Sequence, residues 1–198
     1  MDISDFVDLL QSRQSELADL MRRRMPAIIG RMAMDHFQDN FRLGGFVNGG
    51  LHKWAEAKRL SMGGTSAAYR RGTLLSGSDH LFTSINYFPA DYRVRIENNV
   101  HYAPVHNWGA DIPVTERMRK YAWYRFLKEA GNDKNRVSRK KKSAARMIDP
   151  EAKFWRGMAL TKKKSIKIPQ RQFLGESQEL NDAITSRLES EISKILNL

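Results

Sequence analysis

"LFTSINYFPADYRVRIENN", Leu81 to Asn99, decides how the chain is read. Up to Pro89, Leu81, Thr83, Ile85 and Tyr87 interleave with Phe82, Ser84, Asn86 and Phe88, a composition suited to a pleated, half-buried surface. Pro89 cannot donate to a ladder and is expected to stop this strand. After the turn Pro89-Ala90-Asp91, Tyr92, Val94 and Ile96 alternate with Arg93, Arg95 and Glu97, the period of two that puts apolar side chains on one face. Two such strands joined by a short turn make an antiparallel hairpin, and its apolar face needs helices to cover it.

Helices are predicted on both sides. Upstream, Phe6, Leu9, Leu10, Leu17, Leu20, Met21, Ile28, Ile29, Met32 and Phe37 recur at helical spacing, which predicts a long amphipathic arm from Ser4 to about Asn40. Ser4 suits an N-cap. Pro26 is expected to kink or divide the arm, because it lacks a backbone donor and clashes with the preceding turn. Downstream, Leu180, Ile184, Leu188, Ile192 and Ile195 predict a C-terminal helix capped by Ser177. The fold class expected is α+β: a small antiparallel sheet with N- and C-terminal helices packed on one face, within a single domain spanning residues 1–198.

Two regions interrupt this scheme. Residues 41–73 are rich in glycine and polar side chains without a sustained period and read as a long loop, with Trp54 tacking it to the body. Residues 113–166 read as a basic, partly helical insertion. Within it "TERMRKYAWYRFLKEAG" has a helical pattern with a stop at Gly131, "NDKNRVSRKKKSAAR" is polar and expected to be flexible, and "FWRGMALTKKKSIKIP" fits either a short helix with a strand or a hairpin. Between hairpin and insertion, "YAPVHNWG" reads as a one- or two-turn helix ended by Gly109.

Charge is confined as sharply as pattern. The chain carries a formal net charge of +12; residues 117–171 hold 19 Lys and Arg against 4 Asp and Glu, whereas the remainder holds 15 against 18. Arg139, Lys140, Lys141 and Lys142, with Lys162, Lys163 and Lys164, are therefore candidate contacts for nucleic-acid phosphates or an acidic partner, with aromatic residues nearby to stack or pack. A solvated basic face is the plain alternative. No cysteine is present, which removes disulfides and thiolate metal sites. No apolar run reaches the roughly 20 residues of a membrane span, and the first residues do not form an export signal, so no membrane partner is expected.

Catalytic chemistry finds little support. His101 and His106 are five apart, off the i, i+4 spacing of a zinc helix, and neither sits beside a Glu as in metalloprotease motifs. The glycine pairs 44–45, 49–50 and 63–64 lack the strand-loop-helix context that cradles phosphate. A hydrolase using His101 or His106 is the weakest of three readings; no catalytic residue, metal or cofactor is assigned.

The order of motifs then resembles a known group. "GTLLSGSDHLFTSINYF" carries Leu75, Gly77, Leu81, Ser84 and Ile85; "YAPVHNWG" carries a Tyr-Ala-x-x-His-x-x-Gly turn in Tyr102, Ala103, His106 and Gly109; "IPQRQFLG" carries Ile168, Pro169, Arg171, Phe173, Leu174 and Gly175. In this order, ahead of a terminal amphipathic helix, they resemble the phage virion morphogenesis family, the tail completion or tail terminator proteins of long-tailed phages. The insertion departs from shorter members. What the resemblance implies is a non-enzymatic structural protein at the head-proximal end of the tail, without cofactors, assembling with itself as a ring, possibly a hexamer, and contacting tail-tube or head-tail connector proteins. It implies a place in the virion tail or neck after assembly in the bacterial host cytoplasm, with lumen-facing lysines near the passing genome. Tyr102, His106 and Trp108 are expected to anchor the chain where it passes from the sheet to the insertion. The alternative is a nucleic-acid-binding module that works through the basic insertion.

Overall fold

The computed structural model describes residues 3–62, 71–75, 77–132 and 150–196. Helix α1 (Ile3–Asp19) continues through a π-helical turn (Leu20–Arg24) into α2 (Met25–Leu43). Ser4 lies inside α1 and is not its cap. The interruption expected at Pro26 takes the form of this π turn, closed by the Met25 N–H reaching back to the Leu20 carbonyl. Pro26 has no N–H for the Arg22 carbonyl four residues earlier. A distant segment supplies one: the Tyr92 N–H donates to that carbonyl at 3.0 Å. The Arg22 guanidinium in turn meets the Asp91 carboxylate at 2.6 and 2.7 Å, so the hairpin turn docks on the helix where proline has opened it.

That hairpin pairs β3 (Ile85–Ala90) with β4 (Arg93–Asn98), in register from Ile85 opposite Asn98 to Ala90 opposite Arg93. Three details differ from the sequence reading. His80–Thr83 form a helical turn, α3, held by Thr83 hydroxyl bonds to the Asp79 and His80 carbonyls and by the Asn98 amide on Leu81. Pro89 lies within β3 opposite Val94, one pair from the turn; facing pairs alternate in hydrogen bonding, and a two-stranded sheet has only edges, so a missing donor is tolerated. Tyr92 sits in the turn with φ +60° and is 66% exposed, outside the apolar face that Val94 and Ile96 half-bury.

Helix α2 crosses this hairpin at Gly30. A Cβ there would strike the Tyr87 ring and lie 3.0 Å from Val94, so a glycine in mid-helix is what lets the sheet approach. Beyond the crossing, α2 ends at Gly44 (φ +69°), later than the loop expected from residue 41. The chain then forms a small hairpin, β1 (Gly45–Val47) with β2 (Leu51–Lys53), and a 3₁₀ turn (Lys58–Met62). Residues 63–70 lie outside the described set. Trp54 does tack the segment down: it is buried, and its indole N–H donates to the Gln172 carbonyl at 2.8 Å.

Helix α4 (Ala103–Trp108) ends at Gly109 as expected and leads into β5 (Ala110–Pro113). Then come α5 (Glu116–Asn132), α6 (Pro150–Ala159) and β6 (Ser165–Ile168). Strands β5 and β6 pair antiparallel, Ala110 opposite Ile168 and Pro113 opposite Ser165, so the insertion is a helical hairpin hung on a two-stranded ribbon. Gly131 falls within α5 and does not end it. For "FWRGMALTKKKSIKIP" the helix-then-strand alternative is the one realised. Helix α7 (Gln178–Leu196) begins as predicted, the Leu180 N–H donating to Ser177 Oγ at 3.3 Å.

The class is therefore α+β. Among the described residues the strands nevertheless form three separate two-stranded sheets instead of one. The main core gathers Phe37, Phe41, Phe46, Trp54, Leu81, Ile85 and Phe173, with the Phe41 ring edge-on to Trp54 and tilted against Phe173. A second cluster of Leu20, Met25 and Ile195, flanked by Leu17, Leu188 and Ile192, joins the far end of α2 to the end of α7. There the buried Glu191 carboxylate pairs with Arg24, Arg187 and Lys194, and the Lys194 hydrogen bond above all holds its pKa below the usual range. Among the described residues no helix is long and apolar enough to cross a membrane.

Candidate functional site

The two motifs that frame the insertion, about sixty residues apart, meet in one junction. The Arg171 N–H donates to the His106 carbonyl at 2.7 Å. Asn107, 5% exposed, does more: its Oδ1 accepts from the N–H groups of Phe173 and Leu174, each at 2.9 Å, and its Nδ2 donates to the Leu174 carbonyl at 3.1 Å. Asn40, fully buried on α2, donates to the Phe173 carbonyl at 3.5 Å and accepts from the Val47 N–H at 3.1 Å. Two asparagines thus satisfy the main chain of Phe173 on both sides, which is the condition for burying its ring completely.

Arg171 is 7% exposed and spends its charge on architecture. Its Nε and Nη2 donate to the Ala55 and Glu56 carbonyls at 2.8 and 3.3 Å, while Arg59 donates to the carbonyls of Gly72, Thr73 and Leu75. The two guanidiniums clamp the long connection after β2. Burial first, and their mutual repulsion at Arg171, push both pKa values down. Gly109 closes the junction: at φ +74° it lies so near the opposite strand end that a Cβ would sit 3.0 Å from the Gln170 nitrogen and 3.1 Å from the Ile168 carbonyl. Pro169 is half-buried between β6 and this contact, and Gly175 follows beside the Gln172 amide.

Of the three anchors expected at this turn, two are in place. The Tyr102 ring stands edge-on to both His101 and His106, and His106 is half-buried with Nδ1 shielded from solvent. Burial, and then the Arg171 charge, lower the His106 pKa, so the neutral imidazole is the form that fits. Trp108 does not belong to the anchor. It is 68% exposed, because the six-residue helix turns its last position outward just before Gly109 redirects the chain. The residues missed from sequence are Asn107 and Asn40. Their signal is a polar side chain at a core position: Asn40 continues the buried stripe of Ala33, Phe37 and Phe41.

The basic candidates part company. Lys162, Lys163 and Lys164 are exposed in the turn between α6 and β6. Arg139, Lys140, Lys141 and Lys142 lie outside the described residues. Helices α5 and α6 pack through buried Ala122 and Ala152, and Arg125 lies 4.8 Å over the Trp155 ring while pairing with Glu129 and Glu151. Tyr121, Tyr124 and Leu127 remain exposed.

Among the described residues no group of three or more His, Asp or Glu side chains is placed to hold a metal ion. Comparison with known protein families, with curated proteins and with solved structures found no match.

Proposed function

We propose that the chain is a structural protein of phage or prophage virion morphogenesis, acting at the head-proximal end of the tail through protein contacts within an oligomer. One observation carries the reading: the segments that bear the resemblance, Tyr102 to Gly109 and Ile168 to Gly175, pack against each other through backbone bonds from Arg171 to His106 and from Phe173 and Leu174 to the buried Asn107. Here the Arg171 guanidinium is spent on backbone carbonyls, and the half-buried His106 imidazole packs edge-on to Tyr102 with Nδ1 shielded and unpartnered, in keeping with a scaffold; no catalytic step is assigned to them. In this reading the junction holds the body rigid, while α1 and the α5–α6 arm, which extend from it, meet neighbouring subunits and the tail-tube or connector proteins. A ring would be built from head-to-tail, heterologous contacts.

Deleting the gene from the phage or prophage that carries it tests this. Unjoined heads and tails, or tails of irregular length, are expected by negative-stain microscopy, with restoration on complementation. Normal particles at normal titre would overturn the proposal.

A second reading, nucleic-acid binding through the insertion, is favoured by the exposure of Lys162, Lys163 and Lys164. It predicts duplex binding that weakens steeply as salt rises. Replacing the three lysines by serine should flatten that slope; a salt-independent signal would end this alternative.

A further inference from the structure

Helix α1 carries an apolar stripe that the molecule covers at one end only. Leu17 packs into the second cluster with Leu188 and Ile192 of α7, but seven and ten residues earlier Leu10 and Val7 are 53% and 43% exposed. Residues 3–10 thus project beyond the α7 contact as two turns of helix, about 10–12 Å long at 1.5 Å per residue. In sequence, Asp2, Asp5 and Asp8 precede the first basic residue, Arg13. The projecting end is apolar along one side, with Val7 and Leu10, and acidic along the opposite side, with Asp5 and Asp8.

A groove of complementary character lies between α6, β6 and the 3₁₀ turn. It encloses about 830 Å³, and among the described residues Lys58, Lys153, Lys163 and Lys167 line it without a carboxylate. Phe154, Met158 and Ile166 supply its apolar surface, and at Gly157 a missing side chain leaves open space along α6. From Lys153 to Ala159 the α6 wall runs about 9 Å at 1.5 Å per residue, a little under two helical turns.

These features cannot meet within one copy. Lys58 and Lys167 of the groove are three and four residues from Ala55 and Arg171, which bond to each other near Phe173 and the Phe41 end of α2, whereas α1 leaves from the Met25 end, and the 19 residues of α2 separate its two ends by about 27 Å. We propose that the N-terminal turns of α1 in one copy seat in the lysine-lined groove of the next, Val7 and Leu10 against Phe154 and Ile166, with Asp5 and Asp8 on the outward side toward the exposed lysines of its rim. The contact rests on the oligomeric reading above and supplies its heterologous interface, which closes into a ring or runs on as a filament. Charge directs the encounter, since the insertion is strongly positive and the rest of the chain slightly negative; the apolar stripe holds it.

The absence of native cysteine makes the test direct. Full-length Leu10→Cys and Gly157→Cys chains are mixed in equal amounts and mildly oxidised. The mixed disulfide dimer should dominate over either homodimer, and the double variant should yield a ladder of covalent multimers. Lys153→Glu with Lys167→Glu should cut the mixed product by about tenfold or more, like charges being repelled, and Asp5→Lys with Asp8→Lys on the partner should restore it. Circular dichroism checks that each variant remains folded.

Homodimers in statistical excess, a link confined to single chains, or indifference to charge reversal would overturn the proposal. So would loss of short-duplex DNA binding in the lysine variants with no mixed dimer from the parent pair, which makes the groove a nucleic-acid surface. If the link fails but deletion still leaves heads and tails unjoined, this contact alone is wrong. If the link forms but deletion leaves particles normal, the self-contact stands without the virion role.

Discussion

The junction of α4 with residues 169–175 and the α5–α6 arm are both rich in aromatic and cationic residues, yet they use them in opposite ways. At the junction, Arg171 is buried on backbone carbonyls and Phe173 has no exposed surface. In the arm, Tyr124 and Leu127 are 59% and 64% exposed, and the half-buried cation Arg125 pairs with carboxylates above the Trp155 ring. Aromatic and basic composition alone therefore does not mark a binding face. What separates the two regions is whether the main chain is satisfied by side chains from other elements, as Asn107 and Asn40 do at the junction.

Replacing core residues at the junction should show the contrast most strongly. Phe173→Ala removes a ring packed against Phe41 and should cost about 3–5 kcal/mol of unfolding free energy in urea titration. Asn107→Ala leaves two N–H groups and one carbonyl unpaired in a buried site, and about 2–3 kcal/mol is expected by the same measurement. Gly109→Ala meets both a left-handed backbone and the Gln170 nitrogen, with a loss of about 1–3 kcal/mol.

A smaller effect follows from titration. Burial lowers the pKa values of His106 and His36, so their folded-state values lie below the unfolded value of about 6.5. The unfolded chain then binds protons first as pH falls. Stability is full above that value and declines as pH drops through it toward the folded pKa values. His106→Phe should remove part of this decline in thermal melts between neutral and mildly acidic pH. The smallest effect belongs to the arm: Tyr124→Ser with Leu127→Ser should change stability by no more than about 0.5 kcal/mol. A large loss there would mean that the arm is part of the core, and the contrast would fail.

Much of this was legible beforehand because it is periodic. The β3–β4 hairpin, the α4 turn with Gly109 and Ser177 at the start of α7 all follow from local spacing and caps. The failures share a cause. Ser4 and Gly131 suit a cap and a stop by residue preference, yet each lies inside its helix by one residue. Tyr92 kept the strand's alternation in sequence yet sits in the turn, where its N–H is needed by Arg22. Trp108 was grouped with Tyr102 and His106 by proximity, but a short helix ending at Gly109 turns it outward. Asn107 and Asn40 gave no local signal strong enough to name them, since their partners lie 66 and 133 residues away in sequence.

By itself, the sequence determined the helical and strand periods, the positions of the breaks, and the segregation of charge into residues 117–171, because each depends on neighbours within a few residues. Tertiary structure decided that the three strand pairs stay separate, that the Arg22 carbonyl left without a donor by Pro26 receives a hairpin, and which arginines are spent on backbone. It also decided that a lysine-lined groove and an acidic helix end lie at opposite ends of one chain. Those outcomes depend on which distant groups come within hydrogen-bonding or packing distance, and local spacing does not encode that distance.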